Sequence, residues 1–216
     1  MIKTLIQSFR KKKKEKILFQ QFKENKVNYD QFVEYISFGT DLPALHIIKQ
    51  NNIRKYKEEY QFNLLIETGT YLGDMVEAQR NHFREVYSIE LGEDLYKNAV
   101  KRFKPYANVK IIHGDSGAVL RTLMPKITEP ALFWLDGHYS AGITAKGNKS
   151  TPIFEELESI LNAEFIHGIL IDDARLFVGQ NDYPSIDELA AFITGKDSSR
   201  QLTVSDDIIK IFKNKP

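Results

Sequence analysis

One stretch decides the fold of this chain: Leu64-Leu65-Ile66-Glu67-Thr68-Gly69-Thr70-Tyr71-Leu72-Gly73. Its apolar run stops at an acid, Glu67, and opens into a turn that carries two glycines. An apolar run that ends in a glycine-spaced turn predicts a buried strand that leads into a helix, with bare backbone where a ligand can approach. We therefore expect a nucleotide-binding turn, although a strand, a glycine turn and a helix also occur together where no ligand binds.

The spacing of the glycines indicates which nucleotide the turn would bind. A dinucleotide fold requires Gly-x-Gly-x-x-Gly, so that a pyrophosphate fits at the N-terminus of the helix. Here Tyr71 stands where the second glycine would be, and the pattern is acid-x-Gly-x-x-x-Gly, which disfavours a dehydrogenase. The pattern resembles the first motif of class I S-adenosylmethionine-dependent methyltransferases. This resemblance implies that Glu67 faces the cationic amino-acid portion of the methyl donor.

The composition is that of a globular protein. The 216 residues suit one domain with an appendage, and 42% apolar residues argue against disorder. No apolar run approaches the roughly 20 residues of a membrane span, and no cleavable signal is recognisable, so we expect a cytoplasmic protein. The absence of cysteine excludes disulfides, thiolate zinc sites and cysteine nucleophiles.

The formal net charge of +1 conceals a basic N-terminal segment. Residues 1–26 contain nine Lys or Arg and two Glu, with apolar residues at helical spacing on both sides of the Lys run. One interpretation is a basic amphipathic helix in peripheral contact with an anionic membrane, at its inner face. The alternative, which we favour, is a solvated helix whose apolar stripe packs on the domain. Nucleic-acid binding is disfavoured because the rest of the chain is acidic.

The pattern of the remaining chain predicts alternating strands and helices. We expect residues 1–60 to form a helical extension, with a helix start at Asp41-Leu42-Pro43, and residues 61–216 to form one domain. Predicted strands cover 64–67, 86–90, 109–113, 131–136 and 168–172, with 202–204 and 208–212 as a terminal hairpin. Predicted helices cover 74–82, 93–103, 116–124, 152–162 and 185–193. Such alternation predicts a parallel sheet that helices cover on both faces.

Acidic residues follow every one of the first five predicted strands. In chain order they are Glu67, Glu90, Asp115, Asp136 and the pair Asp172-Asp173. Ligands bind beyond the carboxyl ends of the strands in an open parallel sheet. A single acid in such a place is commonly a loop residue or a helix cap, but an acid after each strand favours a shared site.

With these acids, the resemblance to class I methyltransferases extends from about residue 63 to the C-terminus. It implies a Rossmann-like α/β fold with a seven-stranded, mostly parallel sheet, whose last strand is antiparallel. It also implies that Glu90 accepts both ribose hydroxyls and that Asp115 holds the adenine amino group. The predicted binding residues for S-adenosylmethionine are Glu67, Gly69, Thr70, Gly73, Glu90, Asp115, Ser116 and Asp136.

A narrower resemblance indicates the acceptor. Segments 135–140, 151–152 and 171–175 are similar to a bacterial group of class I methyltransferases associated with surface-polysaccharide genes. The resemblance implies O-methylation of a hydroxyl on a small-molecule or glycan acceptor, such as a sugar intermediate. A nucleic-acid methyltransferase is a competing interpretation, but no Asn/Asp-Pro-Pro-Tyr/Phe motif follows the fourth strand. A module that binds the donor without turnover is a second alternative.

Asp136, Asp172 and Asp173 predict a metal site. Carboxylates at adjacent strand ends would raise one another's pKa unless a cation lay between them. Mg²⁺ prefers carboxylate oxygens and keeps waters that a substrate hydroxyl can displace. Metal-dependent catechol and sugar O-methyltransferases resemble this arrangement, so we predict Mg²⁺ on these three residues. The alternative is that the Asp172-Asp173 pair only caps a turn.

His138 is the predicted general base, and Asp136 and His138 together form the predicted catalytic pair. The unperturbed pKa of histidine, near 6.5, suits proton abstraction at neutral pH. The alternative is a structural loop histidine. Residues 139–150 predict either a lid over the acceptor or an exposed connection. Arg175 and Tyr183 are candidates for the wall of the acceptor pocket.

Overall fold

The computed structural model describes residues 43–137 and 151–213, so the predictions for residues 1–42, His138 and segment 139–150 lie outside the described residues. The described helices are α1 (His46–Tyr60), α2 (Asp74–Gln79), α3 (Glu93–Phe103), α4 (Ser116–Leu123), α5 (Ile153–Leu161) and α6 (Ile186–Lys196). The strands are β1 (Leu64–Thr68), β2 (Glu85–Glu90), β3 (Val109–His113), β4 (Ala131–Leu135), β5 (Gly168–Ile171), β6 (Arg200–Ser205) and β7 (Ile208–Lys213). None of these helices is long and apolar enough to cross a membrane.

The described strands form one seven-stranded sheet in the order β3-β2-β1-β4-β5-β7-β6. Strands β1 to β5 pair in parallel, and β7 runs antiparallel to both β5 and β6. The prediction of a seven-stranded, mostly parallel sheet is therefore confirmed. The strand order reverses at β1, which has β2 on one side and β4 on the other. Ligands of open α/β sheets bind beyond the strand ends at such a switch point.

Alternate residues of the central strands pack against opposite layers of helices. Leu64 and Ile66 of β1 belong to a core that includes apolar side chains of α4, α5 and α6. Leu65 belongs to a second core that includes side chains of α1, α2 and α3. Because successive side chains of a strand point to opposite faces, an unbroken apolar run is the pattern of a strand covered on both sides. Helices on both faces, as predicted, are confirmed.

Helix α1 begins later than the sequence predicts. Pro43 precedes the helix, Leu45 has an extended backbone with φ −62° and ψ 144°, and the first helical residue is His46. The carbonyl oxygen of Leu45 accepts the N–H of Lys49 at 3.2 Å, so the helix starts on a backbone carbonyl without a side-chain cap. The predicted helix start at Pro43 is therefore wrong, and Asp41 lies outside the described residues.

One side of helix α1, with the residues just before it, faces the sheet. Ala44, Ile47 and Ile48 are buried, and the Tyr56 and Tyr60 rings stack on Phe212 of β7 with centroid distances of 4.3 and 4.7 Å. Helix α1 therefore packs directly on the sheet.

Helix α2 ends at Gln79, three residues before the predicted end at His82. The side-chain amide of Asn108 donates a hydrogen bond to the carbonyl oxygen of Arg80 at 2.8 Å. Phe83 is buried in the core that α2 covers. The helix ends early because the Arg80 carbonyl oxygen accepts its hydrogen bond from Asn108, just before β3, instead of from a helical N–H. Phe83, which follows, packs in the core.

The start of β5 is packed too tightly for a side chain at Gly168. A Cβ atom there would lie 2.5 Å from the Phe212 ring and 2.7 Å from the Phe62 ring. The preceding His167 is buried, and its Nδ1 accepts the N–H of Ala131 at 3.0 Å. Burial, with the Arg200 guanidinium, lowers the pKa of His167 to about 4. His167 is therefore a neutral structural residue at neutral pH.

We expect Gly168→Ala to lower the free energy of unfolding by about 1–3 kcal/mol, because two aromatic rings must move to admit the methyl group. Urea denaturation measures this difference. Gly195→Ala is the matched control, since no atom lies within 4 Å of the added Cβ. That variant should gain up to about 1 kcal/mol from helix propensity. Equal stabilities of the two variants would contradict the packing argument.

Candidate functional site

The glycine turn after β1 lies directly against the end of β4. Gly69 has a φ of 83°, and a Cβ atom there would lie 2.4 Å from the carbonyl oxygen of Asp136. The N–H groups of Gly69 and Thr70 donate to the carbonyl oxygen of Ile89 at 2.9 and 3.2 Å. Gly73, with a φ of 82°, closes the turn by donating its N–H to the carbonyl oxygen of Thr70 at 2.8 Å. The turn therefore brings the ends of β1, β2 and β4 together, and only glycine fits at position 69.

Glu67 is buried at the end of β1, where it faces Ser88 of β2 in the strand register. The Ser88 hydroxyl donates to the Glu67 carboxyl group and lies 2.6 Å from the Thr70 hydroxyl. Burial raises the pKa of Glu67 to about 8, although the Ser88 hydrogen bond opposes the shift; the Glu90 charge adds to it. The Glu67 carboxyl group is therefore mostly protonated at pH 7 in the absence of a cationic ligand. Ser88 is not among the residues predicted from the sequence. The pairing of β1 with β2, which places Ser88 opposite Glu67, would have indicated it.

Glu90 is held in place by the backbone on both sides of it. Its Oε2 accepts the N–H of Tyr71 at 2.8 Å, and its Oε1 accepts the N–H of Gly92 at 2.8 Å. A carboxylate has about four acceptor positions, so both oxygens keep capacity for further hydrogen bonds. The arrangement fits a ligand that presents two neighbouring hydroxyls, as the ribose of the predicted donor does.

The loop after β3 approaches Glu90 through its backbone. The N–H of Gly114 donates to the Glu90 carbonyl oxygen at 2.9 Å. Asp115 is exposed and its Oδ1 accepts the N–H of Ala118 at 3.0 Å, so it caps α4. Ser116, the first residue of α4, is buried. Asp115 thus has the cap function that the sequence left open, and the predicted adenine contact of Asp115 and Ser116 stays a prediction.

The acids after β4 and β5 meet two basic side chains. Asp172 is fully buried and its Oδ2 forms an ion pair with the ammonium group of Lys49. The Lys49 Nζ lies 3.6 Å from Asp173 Oδ1, which also contacts Arg175 Nη1 at 2.8 Å. Arg175 also forms an ion pair with Asp207, in the turn between β6 and β7. The carboxylates therefore meet basic groups that the protein itself supplies.

The electrostatic coupling extends to Asp136 and Tyr183. Burial raises the pKa of the Asp172 carboxyl, and the Lys49 ammonium opposes this shift. Burial lowers the pKa of Lys49, but Asp172, Asp136 and Asp173 together raise it above its ordinary value. Burial also raises the pKa of Tyr183 to about 12, and the charges of Asp173 and Asp136 add to this shift. Tyr183 and Arg175 thus belong to the same electrostatic environment as the acids, and their place at an acceptor pocket stays a prediction.

The structure does not support a divalent cation at the predicted ligands Asp136, Asp172 and Asp173. Among the described residues, no group of three or more His, Asp or Glu side chains has the arrangement to hold a metal ion. The Asp172 carboxylate instead contacts Lys49, which would repel a cation at the same oxygens. Sequence reasoning missed Lys49, although it lies four residues before the buried Ile53 and therefore on the buried face of α1.

No protein-family model and no curated protein sequence matches this chain. Several solved structures, however, are similar to it in fold. The S-adenosylhomocysteine-bound Podospora anserina methyltransferase PaMTH1 has a TM-score of 0.56 at 17% identity, over 92% of this chain and 88% of that chain. The O-methyltransferase TomG from Streptomyces achromogenes, involved in tomaymycin synthesis, has a TM-score of 0.55 at 15% identity, over 85% and 87%. The N-methyltransferase NodS from Bradyrhizobium japonicum has a TM-score of 0.52 at 10% identity, over 82% and 91%.

These likenesses, with the strand order, show that the chain has the Rossmann-like fold of class I methyltransferases. At such identities the likeness shows the fold alone. The structures include an O-methyltransferase and an N-methyltransferase. The acceptor atom must therefore be argued from this chain's own residues.

The raised pKa of the buried Glu67 predicts how the free energy of unfolding depends on pH. The unfolded carboxyl has a pKa of about 4.5 and the folded one a pKa of about 8, so the native state retains a proton that the unfolded state releases between these values. Stability from this group therefore falls as the pH rises from about 4.5 to about 8. Glu67→Gln removes this dependence, so its stability relative to the parent protein should rise by about 3 kcal/mol between pH 5 and pH 8.

Urea denaturation across that pH range measures the difference. Glu164→Gln, an exposed site, is the control and should follow the parent protein at every pH. Parallel curves for Glu67→Gln and the parent would show that Glu67 is ionised in the native state.

Proposed function

We propose that the protein transfers the methyl group of S-adenosylmethionine to a hydroxyl oxygen of an acceptor, specifically a sugar or a glycan intermediate. The observation that carries the proposal is the arrangement of Glu90 beside the glycine turn, at the switch point of a methyltransferase fold. The narrower resemblance of segments 135–140, 151–152 and 171–175 supports the choice of acceptor.

The donor would bind along the ends of β1, β2 and β3. Glu90, which its two backbone contacts orient, would accept the two ribose hydroxyls. The turn around Gly69, Thr70 and Gly73 leaves backbone rather than side chains beside the donor. Glu67 would ionise when the donor's cationic portion approaches, because an opposite charge favours the charged form of a carboxyl group. Asp115 and Ser116 would contact the adenine.

Methyl transfer is an in-line displacement at a sulfonium carbon. The acceptor oxygen forms a C–O bond as the C–S bond breaks, the electron pair of that bond goes to sulfur, and the hydroxyl proton leaves for a base. Alignment of the two reactants supplies on the order of 7–11 kcal/mol in well-oriented reactions. We assign the proton to His138, which follows Asp136 by two residues in the sequence.

Calorimetry should detect binding of S-adenosylmethionine and of S-adenosylhomocysteine to the full chain. Glu90→Gln should weaken both at least about tenfold, because the ribose loses hydrogen bonds to a charged acceptor worth about 1.5–3 kcal/mol each. Glu93→Gln, a nearby exposed acid whose side chain pairs with Lys97, is the matched control and should bind like the parent. If neither ligand binds the parent protein, the proposed function fails.

The second test separates donor binding from transfer. A screen of nucleotide sugars and glycan intermediates with methyl-labelled donor should reveal an acceptor hydroxyl. On that acceptor, His138→Asn should lower kcat at least about a hundredfold, the typical contribution of a general base, while donor affinity stays unchanged. Unchanged turnover in this variant would exclude His138 as the base and leave the donor site standing.

A further inference from the structure

The Lys49 ammonium occupies the position between two carboxylates at which the sequence predicts a divalent cation. It pairs with Asp172 and lies 3.6 Å from Asp173, and its side chain is only 16% exposed. No assignment from sequence includes this lysine, because it comes from α1, ahead of the first strand. The position of Lys49 is nevertheless set by residues of α1 that are buried before and after it in the sequence, Ile48 and Ile53.

That packing holds Lys49 rigidly against the sheet. Ile48 and Ile53 of α1 are buried, and Asn52 donates its side-chain amide to the Ile48 carbonyl oxygen at 3.0 Å. Gln79 of α2 donates to the Gln50 carbonyl oxygen at 3.2 Å and so ties α1 to the helix after the glycine turn. The ammonium is therefore delivered to the ends of β4 and β5 by a helix that the cores of the domain hold in place.

The charges match those of the ion that the lysine would replace. Lys49 and Arg175 each bring one positive charge to Asp173, at 3.6 and 2.8 Å, and two such charges equal that of one Mg²⁺ ion. A lysine ammonium is a compact point charge, unlike a guanidinium, and so can stand between two carboxylates as a small ion does. Loss of one partner from a buried ion pair leaves the other charge uncompensated, so a cation added to the solution gains a favourable place to bind.

We propose that Lys49 is a positioning residue that replaces the divalent cation at the acceptor end of the site, so that the protein works without a metal. Lys49 holds Asp172 and Asp173 in place and balances their charge. The part of this inference that concerns turnover rests on the proposed function. The part that concerns metal binding does not, because it can be measured on the protein without donor or acceptor.

The direct test is a titration of Mn²⁺, followed by electron paramagnetic resonance, on the full chain after treatment with a chelator. The parent protein should bind no Mn²⁺ at this site, and its turnover should be the same with chelator or with added Mg²⁺. Lys49→Ala should bind Mn²⁺ at least tenfold more tightly than the parent, because the carboxylates have lost their cation. Its turnover should fall and should recover in part when Mg²⁺ is added.

Three variants control the charge and the fold. Lys49→Arg keeps a positive charge and should bind no Mn²⁺, and it should recover part of the turnover that Lys49→Ala loses. Lys55→Ala removes an exposed lysine of the same helix and should behave like the parent in every measurement. The double variant Lys49→Met with Asp172→Asn removes both charges, so it should stay folded by circular dichroism and bind no Mn²⁺.

The outcomes separate the inference from the proposed function. Mn²⁺ binding by the parent, turnover that needs Mg²⁺, or a folded Lys49→Ala variant that binds no Mn²⁺ would each overturn the inference. If Lys49→Ala does not fold, Mn²⁺ binding by the parent and the Mg²⁺ dependence of its turnover still test the inference. Gain of Mn²⁺ binding by Lys49→Ala, in a protein that binds neither form of the donor, would overturn the proposed function and support the inference.

Discussion

The contact between the Gly69 turn and the backbone of Asp136 is the constraint on which the rest of the site depends. A Cβ atom at position 69 would lie 2.4 Å from the Asp136 carbonyl oxygen, so the first turn and the end of β4 can approach this closely only with glycine there. This approach places Glu67 and Glu90 on one side of the contact and Asp172 on the other. A donor bound on the first side and an acceptor on the second would meet above Gly69, at the point where the strand order reverses.

The two buried carboxyl groups, Glu67 and Asp172, offset the cost of burial in different ways. At the end of β1, Glu67 accepts a hydrogen bond from the Ser88 hydroxyl, and burial favours its neutral form. A cationic ligand would therefore change its charge. At the end of β5, Asp172 is already paired with the ammonium group of Lys49. Both arrangements carry a desolvation cost that a core of apolar residues would avoid, as functional sites commonly do.

The fold could be predicted from the sequence because its signals are local. An apolar run such as 64–66 reads as a strand covered on both faces, and the glycine turn and strand-end acids mark one edge of the sheet. The prediction of a metal, which the structure does not support, depended on a different kind of information. It counted the carboxylates at the ends of β4 and β5, which sequence order reveals, but the group that compensates them is 123 residues away from Asp172. Only the packing of α1 on the sheet brings Lys49 to that place.

The positive charge beside Asp172 comes from a part of the chain outside the strand-helix units of the sheet. Helix α1 precedes the first strand and belongs to none of the strand-helix units that build the sheet, yet it supplies the positive charge that pairs with Asp172. The two side-chain hydrogen bonds of Glu90 come from the backbone N–H groups of Tyr71 and Gly92, which lie outside α1. A change at position 49 would therefore alter the charge at the ends of β4 and β5 while these contacts of Glu90 stay intact. Under the proposal for Lys49, the residue of this chain that faces the acids after β4 and β5 decides whether the site needs a metal.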